Sequence, residues 1–333
     1  MGIVSSLFPW RVDSPTKTSN PKTKRCCEEK KTVISVNHVF KDYGQGRGNF
    51  DVDFQIKDGE TLGIVGENGA GKTTLIRQVM GFIKSDTGNI NIYNFDAYKD
   101  SASTKCYMGY IPGEINFPDV RSGDRFLHDY GRALGMKDAD FAYADEIISR
   151  MQLDIRAYPK RMSKGMKQKT SIVAAMMLKA PIIIMDEPSI GLDPLMREEL
   201  LKLILEQKER GATMLMSSNT IEELERVCDR VAYMSQGKIL DIADVHEIQS
   251  RKVRDFKIEF KEARDYQSFI KTRKDILRLQ PQYHQVTVRI DKKEIPHLFD
   301  QLEKYDLKFI SEVKYNLTTY FNERRKALNK EEK

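Results

Sequence analysis

The stretch Gly66–Thr74, GENGAGKTT, decides how this chain folds. It follows the apolar run TLGIV and precedes residues with helical spacing, so the sequence predicts a strand, a glycine-rich loop and a helix that begins at Lys72. Glycines let the backbone curl until successive N–H groups converge on phosphate oxygens. Lys72 then supplies a charge for the β- and γ-phosphates, and the Thr73 hydroxyl is placed to coordinate Mg²⁺. The stretch predicts a nucleotide site without indicating the reaction.

A second signal is a pair of acids at the end of an apolar run, PIIIMDEP at residues 181–188. The run predicts a buried strand whose tip carries Asp186 and Glu187. Asp186 can hold a metal through water, and Glu187 can polarise an attacking water. Adjacent acids at a strand end are otherwise usually solvated or paired, but together with Gly66–Thr74 they favour nucleotide hydrolysis.

The stretch KRMSKGMKQK, residues 160–169, places five cations around Ser163 and Gly165 just before an apolar helix. Spacing alone supports two interpretations equally. One is an amphipathic helix with a capped, solvated start. The other is a second anion site, which a single nucleotide does not need and which would bind the γ-phosphate of a nucleotide held by a partner.

Asn219 lies where the apolar run of residues 213–216 gives way to a helical pattern. One interpretation is a helix N-cap, with Glu222 or Glu223 completing a capping box. The other is a residue at the end of a strand that points at whatever binds above the sheet.

Patterning divides the chain into two folded regions. Residues 33–250 predict one α/β domain with a largely parallel sheet, in which 49–57 alternate as a half-buried strand and 114–160 are helical. Alternation restarts after Arg251 and predicts a small α+β accessory domain over 251–325, with no sign of catalysis. Residues 1–32 predict a flexible basic arm and 326–333 a tail.

Composition narrows the class of protein. The net charge of +6 over 333 residues comes entirely from the two ends, +4 in residues 1–32 and +2 in residues 320–333. A neutral body with basic ends is a poor nucleic-acid footprint. No apolar stretch is long enough to predict a membrane span. The spacing of the four cysteines, at positions 26, 27, 106 and 228, predicts neither a zinc site nor a disulfide framework, so reduced thiols in the cytosol fit best.

The order GENGAGKTT, MSKGM, IIIMDEP, SIGLD and the strand before SSN resembles the ATP-binding cassette of ABC transporters over about residues 33–250. The variant MSKGMKQK and a trailing domain ending in NLTTYF resemble the single-cassette ATPase subunits of bacterial exporters with separately encoded membrane subunits. This implies a P-loop NTPase fold: a mixed, mainly parallel sheet with an antiparallel β part and a helical subdomain, followed by the α+β accessory domain.

The resemblance implies residue roles. The catalytic residues would be Glu187, Lys72, Asn219, Ser163 and Gly165. The nucleotide contacts would be Tyr43, Gly66, Asn68, Gly69, Ala70, Gly71, Lys72, Thr73, Thr74 and Asp193. The metal contacts would be Thr73, Asp186 and Glu114. Tyr43 matches the adenine-stacking aromatic, although an aromatic there could equally belong to the core. Ser163 and Gly165 would close over ATP held by the other subunit, and Asp193 would couple the two sites.

The chain departs from the family pattern twice. Where the family usually has a glutamine that touches Mg²⁺ and water, this chain has Gly113 followed by Glu114, which either substitutes or leaves the contact absent. Where the family has a histidine against the γ-phosphate, this chain has Asn219. An amide can donate a hydrogen bond but cannot pass a proton near neutral pH. We therefore expect normal ATP binding and dimerisation with slow hydrolysis.

The resemblance also implies partners: a second cassette subunit paired head to tail, most simply as a homodimer, and a membrane permease. The permease would dock beside residues 114–160, where Phe117 and Phe126 could line a groove. The protein would then be cytoplasmic, peripheral on the inner face of the cell membrane, using ATP and Mg²⁺ and binding no nucleic acid. Two alternatives are a catalytically weak regulatory cassette of a mixed dimer and a non-transport cassette acting on ribosomes or DNA.

Overall fold

The computed structural model describes residues 30–331, with side chains through residue 325. The predicted arm up to residue 29 and the side chains of the predicted tail lie outside the described residues. Chain contacts divide the described residues into two compact units, with the division between Ala243 and Asp244. Within residues 30–331, none of the helices combines the length and apolar character that crossing a membrane requires.

The first unit contains an antiparallel sheet whose spatial order is β2-β1-β4-β5. Its strands are β1 (Thr32–Asp42), β2 (Gly48–Lys57), β4 (Thr87–Ile92) and β5 (Phe95–Asp96). The predicted alternation in β2 is confirmed, because Val52, Phe54 and Ile56 are buried while the residues between them are exposed. This sheet is the expected antiparallel β part.

The second sheet of this unit has six strands in the order β10-β9-β3-β8-β7-β6. They are β3 (Thr61–Val65), β6 (Met108–Ile111), β7 (Ile182–Asp186), β8 (Thr213–Ser218), β9 (Arg230–Ser235) and β10 (Lys238–Asp244). β3 pairs in parallel with β8 and β9, and β7 pairs in parallel with β6 and β8. The carboxyl ends of β3, β8 and β7 therefore lie side by side, the edge at which ligands bind in such sheets.

Helices connect these strands, and their bounds differ from the predicted pattern in one segment. They are α1 (Lys72–Val79), α2 (Ser101–Lys105), α3 (Gly123–Ala133), α4 (Phe141–Arg150), α5 (Lys164–Met176), α6 (Pro194–Glu209) and α7 (Ile221–Val227). Short 3-10 turns cover Asp138–Asp140 and Pro159–Arg161. Residues 114–122, expected to be helical, are irregular. The Ser122 hydroxyl accepts the Arg125 N–H at 3.1 Å and caps the start of α3.

The second unit is a four-stranded antiparallel sheet in the order β12-β13-β11-β14. Its elements are α8 (Val245–Gln249), β11 (Val253–Phe260), α9 (Ala263–Lys271), β12 (Ile276–Gln280), β13 (Gln285–Asp291), α10 (Ile295–Leu302), β14 (Leu307–Val313) and α11 (Leu317–Glu331), with 3-10 turns at Pro281–Tyr283 and Lys292–Glu294. From β11 to β14 the order is a split β-α-β arrangement. Its core includes Phe260, Phe269, Val288 and Leu298, as an α+β unit requires.

Candidate nucleotide-binding site

The glycine-rich loop lines an open cleft of about 460 Å³. The lining residues are Tyr43, Arg47, Gly48, Asn68, Gly69, Ala70, Gly71, Lys72, Thr73, Thr74 and Glu187. The cleft therefore brings together the loop, the aromatic side chain of Tyr43 and one of the two acids. Arg47 and Gly48 were not predicted as contacts; the available signal was a basic residue inside the run GQGRG beside Tyr43.

Gly66 and Asn219 line a neighbouring cavity of about 380 Å³, whose other lining residues are Val65, Glu67, Asn68, Ile221 and Tyr233. Asn68 lines both cavities.

The loop follows a path that only glycine allows at position 71. Gly71 has φ 106°, and a Cβ atom there would lie 2.4 Å from Asn49 Oδ1. Gly69 has φ 81°, but a Cβ atom there would meet nothing within 4 Å. Gly71 is thus required by both backbone and space, and Gly69 by backbone alone.

Lys72 opens α1 and is almost fully buried, with 4% of its surface exposed. Its ammonium donates to the carbonyl oxygen of Gly66 at 2.7 Å, to that of Glu67 at 3.2 Å and to Asn219 Oδ1 at 2.7 Å. Glu187 Oε1 lies 3.4 Å from the same ammonium. One cation therefore contacts residues that follow β3, β7 and β8.

Of the two interpretations of Asn219, the helix cap is wrong. The helix begins at Ile221, its N-cap position is Thr220, and no side chain caps it. The Asn219 Oδ1 atom instead accepts from Lys72, and its Nδ2 donates to Asn68 Oδ1 at 3.1 Å. Because β8 extends to Ser218 beside β3, Asn219 leaves the sheet next to the glycine-rich loop.

The capping box with Glu222 or Glu223, which belonged to the same interpretation, is not formed either. The Glu223 carboxylate accepts hydrogen bonds from the hydroxyls of Ser189 and Ser218.

Asp186 is the last residue of β7 and is 1% exposed. Its Oδ1 accepts from Ser217 Oγ at 2.7 Å and from Thr73 Oγ1 at 3.3 Å. Its Oδ2 is buried and makes no hydrogen bond to any residue that the structure describes. Burial raises the pKa of this carboxyl, while the hydrogen bonds from Ser217 and Thr73 act in the opposite direction.

The unpaired Oδ2 belongs to the same carboxylate whose Oδ1 accepts from the Thr73 hydroxyl, and this pair of oxygen-bearing side chains fits a Mg²⁺ ion. In the described part of the chain, no group of three or more His, Cys, Asp or Glu side chains could hold a metal. The donors therefore suit an ion that takes most of its ligands from phosphate and water, as Mg²⁺ commonly does.

Glu187 has an unusual backbone conformation, with φ 49°. Its N–H donates to Ser217 Oγ at 3.0 Å, and its side chain, 18% exposed, lines the cleft. A left-handed conformation of a non-glycine residue costs about 1–3 kcal/mol and persists where surrounding contacts fix it, often at functional sites.

Ser163, Gly165 and Asp193 do not line this cleft. Ser163 Oγ accepts the Met166 N–H at 3.2 Å and caps α5, and Asp193 Oδ1 accepts the Met196 N–H at 2.9 Å and caps α6. A Cβ atom at Gly165 would lie 2.8 Å from the carbonyl oxygen of Gly191, so the two segments pack closely. They form a second surface, separate from the cleft residues of the same chain.

Glu114 also lies outside the cleft lining. Its side chain is 84% exposed, and its carboxylate lies 3.5 Å from the Arg77 guanidinium. The neighbouring residue Gly113 packs against the Asp186 carboxylate, because a Cβ atom at position 113 would lie 2.9 Å from Asp186 Oδ2.

Comparison with known proteins gives consistent results. The sequence model of the family described as ABC transporter matches residues 50–190. The chain is 32% identical over 222 residues to the linearmycin resistance ATP-binding protein LnrL of Bacillus subtilis (strain 168), covering 66% of this chain and 71% of that protein.

Two solved structures extend the comparison. A structure of an ATP-binding subunit of an ABC transporter has a TM-score of 0.61 and 29% identity, covering 66% of this chain and 92% of the other. A dimeric post-hydrolysis state of the ATP-binding cassette MJ0796, bound to ADP and Pi, has a TM-score of 0.56 and 22% identity, covering 64% and 98%. The second shares the fold.

Proposed function

The chain belongs to the ABC transporter family as one of its ATP-binding subunits, and from that premise we propose that it is a Mg-ATPase driving a membrane permease. The observation that carries the proposal is the meeting of three chain segments at the Lys72 ammonium. Asn219 Oδ1 lies 2.7 Å and Glu187 Oε1 3.4 Å from it, at the end of the glycine-rich loop.

In this proposal the reaction is in-line attack of water on the γ-phosphate of ATP. Lys72 donates to the phosphate oxygens, while Glu187 accepts a hydrogen bond from the attacking water and orients it. Asn219 Nδ2 gives up its hydrogen bond to Asn68 Oδ1 and donates to a γ-phosphate oxygen instead. Tyr43, which lines the cleft and is 52% exposed, stacks on the adenine.

Thr73 and Asp186 would hold Mg²⁺, which when bound neutralises charge on the β- and γ-phosphates. The buried, unpaired Oδ2 atom of Asp186 supports this assignment.

Dimerisation is proposed from predicted site residues that do not line the cleft, Ser163, Gly165 and Asp193. Ser163 and Gly165 lie at the start of α5, whose first-turn N–H groups favour anions. In a head-to-tail pair, this surface would close over ATP bound by a second copy, and Asp193 would lie between the two sites. The dimeric cassette of shared fold supports such pairing.

A permease is the proposed membrane partner, which would hold the protein at the inner face of the cell membrane. Segment 114–160 offers a cluster of aromatic side chains for docking. The ring of Phe126 lies 4.7 Å from that of Phe117 and 5.7 Å from that of Tyr130. Export as the direction of transport, the domain limits 33–250 and 251–325, and the absence of nucleic-acid binding also belong to this proposal.

The testing experiment is Mg-ATP turnover by the purified protein beside Glu187→Gln and Asn219→His, with the oligomeric state recorded on the same samples. We expect slow turnover in the parent, because an amide replaces imidazole, and loss of turnover with an ATP-dependent dimer in Glu187→Gln. If the parent dimerises with ATP but does not hydrolyse it, and Asn219→His restores hydrolysis, the chain is instead a regulatory cassette. A parent that does not bind ATP would refute the proposal.

A further inference from the structure

Glu223 is a buried carboxylate that the catalytic proposal does not use. It lies on α7 and is 4% exposed. Its Oε2 accepts from Ser189 Oγ at 2.8 Å and from Ser218 Oγ at 3.1 Å. Its Oε1 makes no hydrogen bond to any residue that the structure describes, but lies 3.3 Å from the charged Arg197 Nε. Burying a carboxylate is costly unless hydrogen bonds and a countercharge compensate, and here they converge from other elements.

The three partners come from the segments that build the candidate site. Ser189 follows Glu187 by two residues, and Ser218 immediately precedes Asn219. The Ser218 hydroxyl also accepts the Thr220 N–H at 3.0 Å, so it holds the backbone on the far side of Asn219. Arg197 lies in the first turn of α6. One carboxylate therefore connects the Glu187 loop, the Asn219 segment and the helix that Asp193 caps.

The neighbouring residues Ser217 and Ser218 on β8 contact different parts of the candidate site. Side chains alternate between the faces of a strand. Ser217 donates to Asp186 and accepts the Glu187 N–H, whereas Ser218 points to the other face and donates to Glu223. The left-handed turn at Glu187 is therefore held at its own N–H by Ser217. It is held two residues later by Glu223 through Ser189.

We propose that Glu223 is a positioning residue of the ATP site, which couples the contact of Asn219 with the γ-phosphate to the orientation of Glu187. This inference rests on the proposed function. Glu223 does not line the nucleotide cleft, so it acts through Ser189 and Ser218. A merely structural role would change the stability of the fold but not the discrimination between ATP and ADP.

The test compares full-length Glu223→Ala and Glu223→Gln with Glu222→Ala, a matched control because Glu222 is the exposed neighbour on the same helix. The measurements are kcat and KM for Mg-ATP, and Kd for ATP and for ADP. Misplaced catalytic groups slow chemistry more than binding, so Glu223→Ala should lower kcat about 10- to 100-fold with KM changed less than about 3-fold. Its preference for ATP over ADP should fall towards one.

Glu223→Gln should retain most of the turnover, because an amide oxygen can accept from both serine hydroxyls. If Glu223→Ala does not fold, Ser189→Ala and Ser218→Ala remove one hydroxyl each. Their double variant should lose less kcat than the product of the single losses, because both act through one carboxylate.

The outcomes separate this inference from the proposed function. A parent that hydrolyses ATP, with kcat and ATP preference unchanged in Glu223→Ala, overturns the inference and leaves the function standing. If the parent binds ATP without turnover, the ratio of the Kd values for ADP and ATP decides: a lower ratio in Glu223→Ala than in the parent supports the inference, and an unchanged ratio overturns it. A parent that binds neither nucleotide refutes both.

Discussion

Gly69 and Gly71 both have positive φ, but alanine should have unequal effects at the two positions. Gly69→Ala should lower the free energy of unfolding by about 1–2 kcal/mol, the usual cost of a left-handed conformation for a residue with a Cβ atom. Gly71→Ala should cost clearly more, because its Cβ would lie 2.4 Å from Asn49 Oδ1, and Asn49 is fully buried. Urea unfolding of both variants measures the difference; equal losses would contradict the role of Asn49.

The sequence predicts the candidate site well where a motif is continuous. The cleft lining includes Asn68–Thr74 and Glu187 as expected. At Asn219 the local pattern also allowed a helix cap, and only the resemblance to the family indicated a place in the nucleotide site. Its partner Lys72 is 147 positions away in the chain. Only the pairing of β3 with β8 creates that contact, and no local pattern encodes strand order.

At the scale of elements, Arg150 joins α4 to α6. Its guanidinium donates to Glu199 at 2.6 Å and to Glu206 at 2.6 and 2.8 Å. The hydrogen bonds that Arg150 donates to Glu206, opposed by burial, raise the pKa of Arg150 above its usual value.

We therefore expect Arg150→Ala to lower the free energy of unfolding by about 1.5–3 kcal/mol, the range for a hydrogen bond to a charged group. The control is Arg125→Ala, since Arg125 pairs with Asp129 at 2.7 Å on an exposed helix face. Such exposed pairs contribute about 0.3–0.5 kcal/mol. Thermal unfolding of both variants makes the comparison, and a loss at Arg150 no greater than at Arg125 would show that the link between α4 and α6 is not stabilising.

Elements with clear periodicity were predictable, and those without it were not. The strands predicted at residues 49–57, 61–65 and within 181–188 are confirmed, because burial imposes alternation or a continuous apolar run on them. The third ends at Asp186, one residue before Glu187. β12 escaped prediction, since it lies at the edge of its sheet with Leu277 and Leu279 about half exposed. α11 is mostly polar, and its buried anchors are Leu317 and Phe321.

At the scale of the whole molecule, the two units have cores made of different residues. Removing a fully buried side chain leaves a cavity, which costs about 2–5 kcal/mol for Ile→Ala and about 3–5 kcal/mol for Phe→Ala. We expect Phe269→Ala to accelerate amide hydrogen exchange in β11 and β13 while leaving β3 and β8 unchanged. Ile64→Ala, at an equally buried position, should do the reverse. Acceleration of all four strands by either variant would show that the units open together.

The order of strands and the division between units could not be predicted from local patterns. β3 lies between β9 and β8, which are distant in sequence. Chain contacts divide the protein after Ala243, whereas patterning suggested residue 250. The difference is α8, which packs with α11 in the second unit although it follows β10 without interruption. The predicted functional limits, 33–250 and 251–325, stay a prediction.

The left-handed turn at Glu187 places two selective pressures in opposition at one position. Glycine has no steric penalty at φ 49°, and asparagine tolerates that region better than glutamate does. Stability alone would therefore replace this residue, while hydrolysis in the proposed mechanism depends on its carboxylate. In a library randomised at position 187, variants sorted for thermal resistance should drift to glycine and asparagine. Glutamate would persist only under selection for turnover, as expected where activity is maintained at the expense of stability.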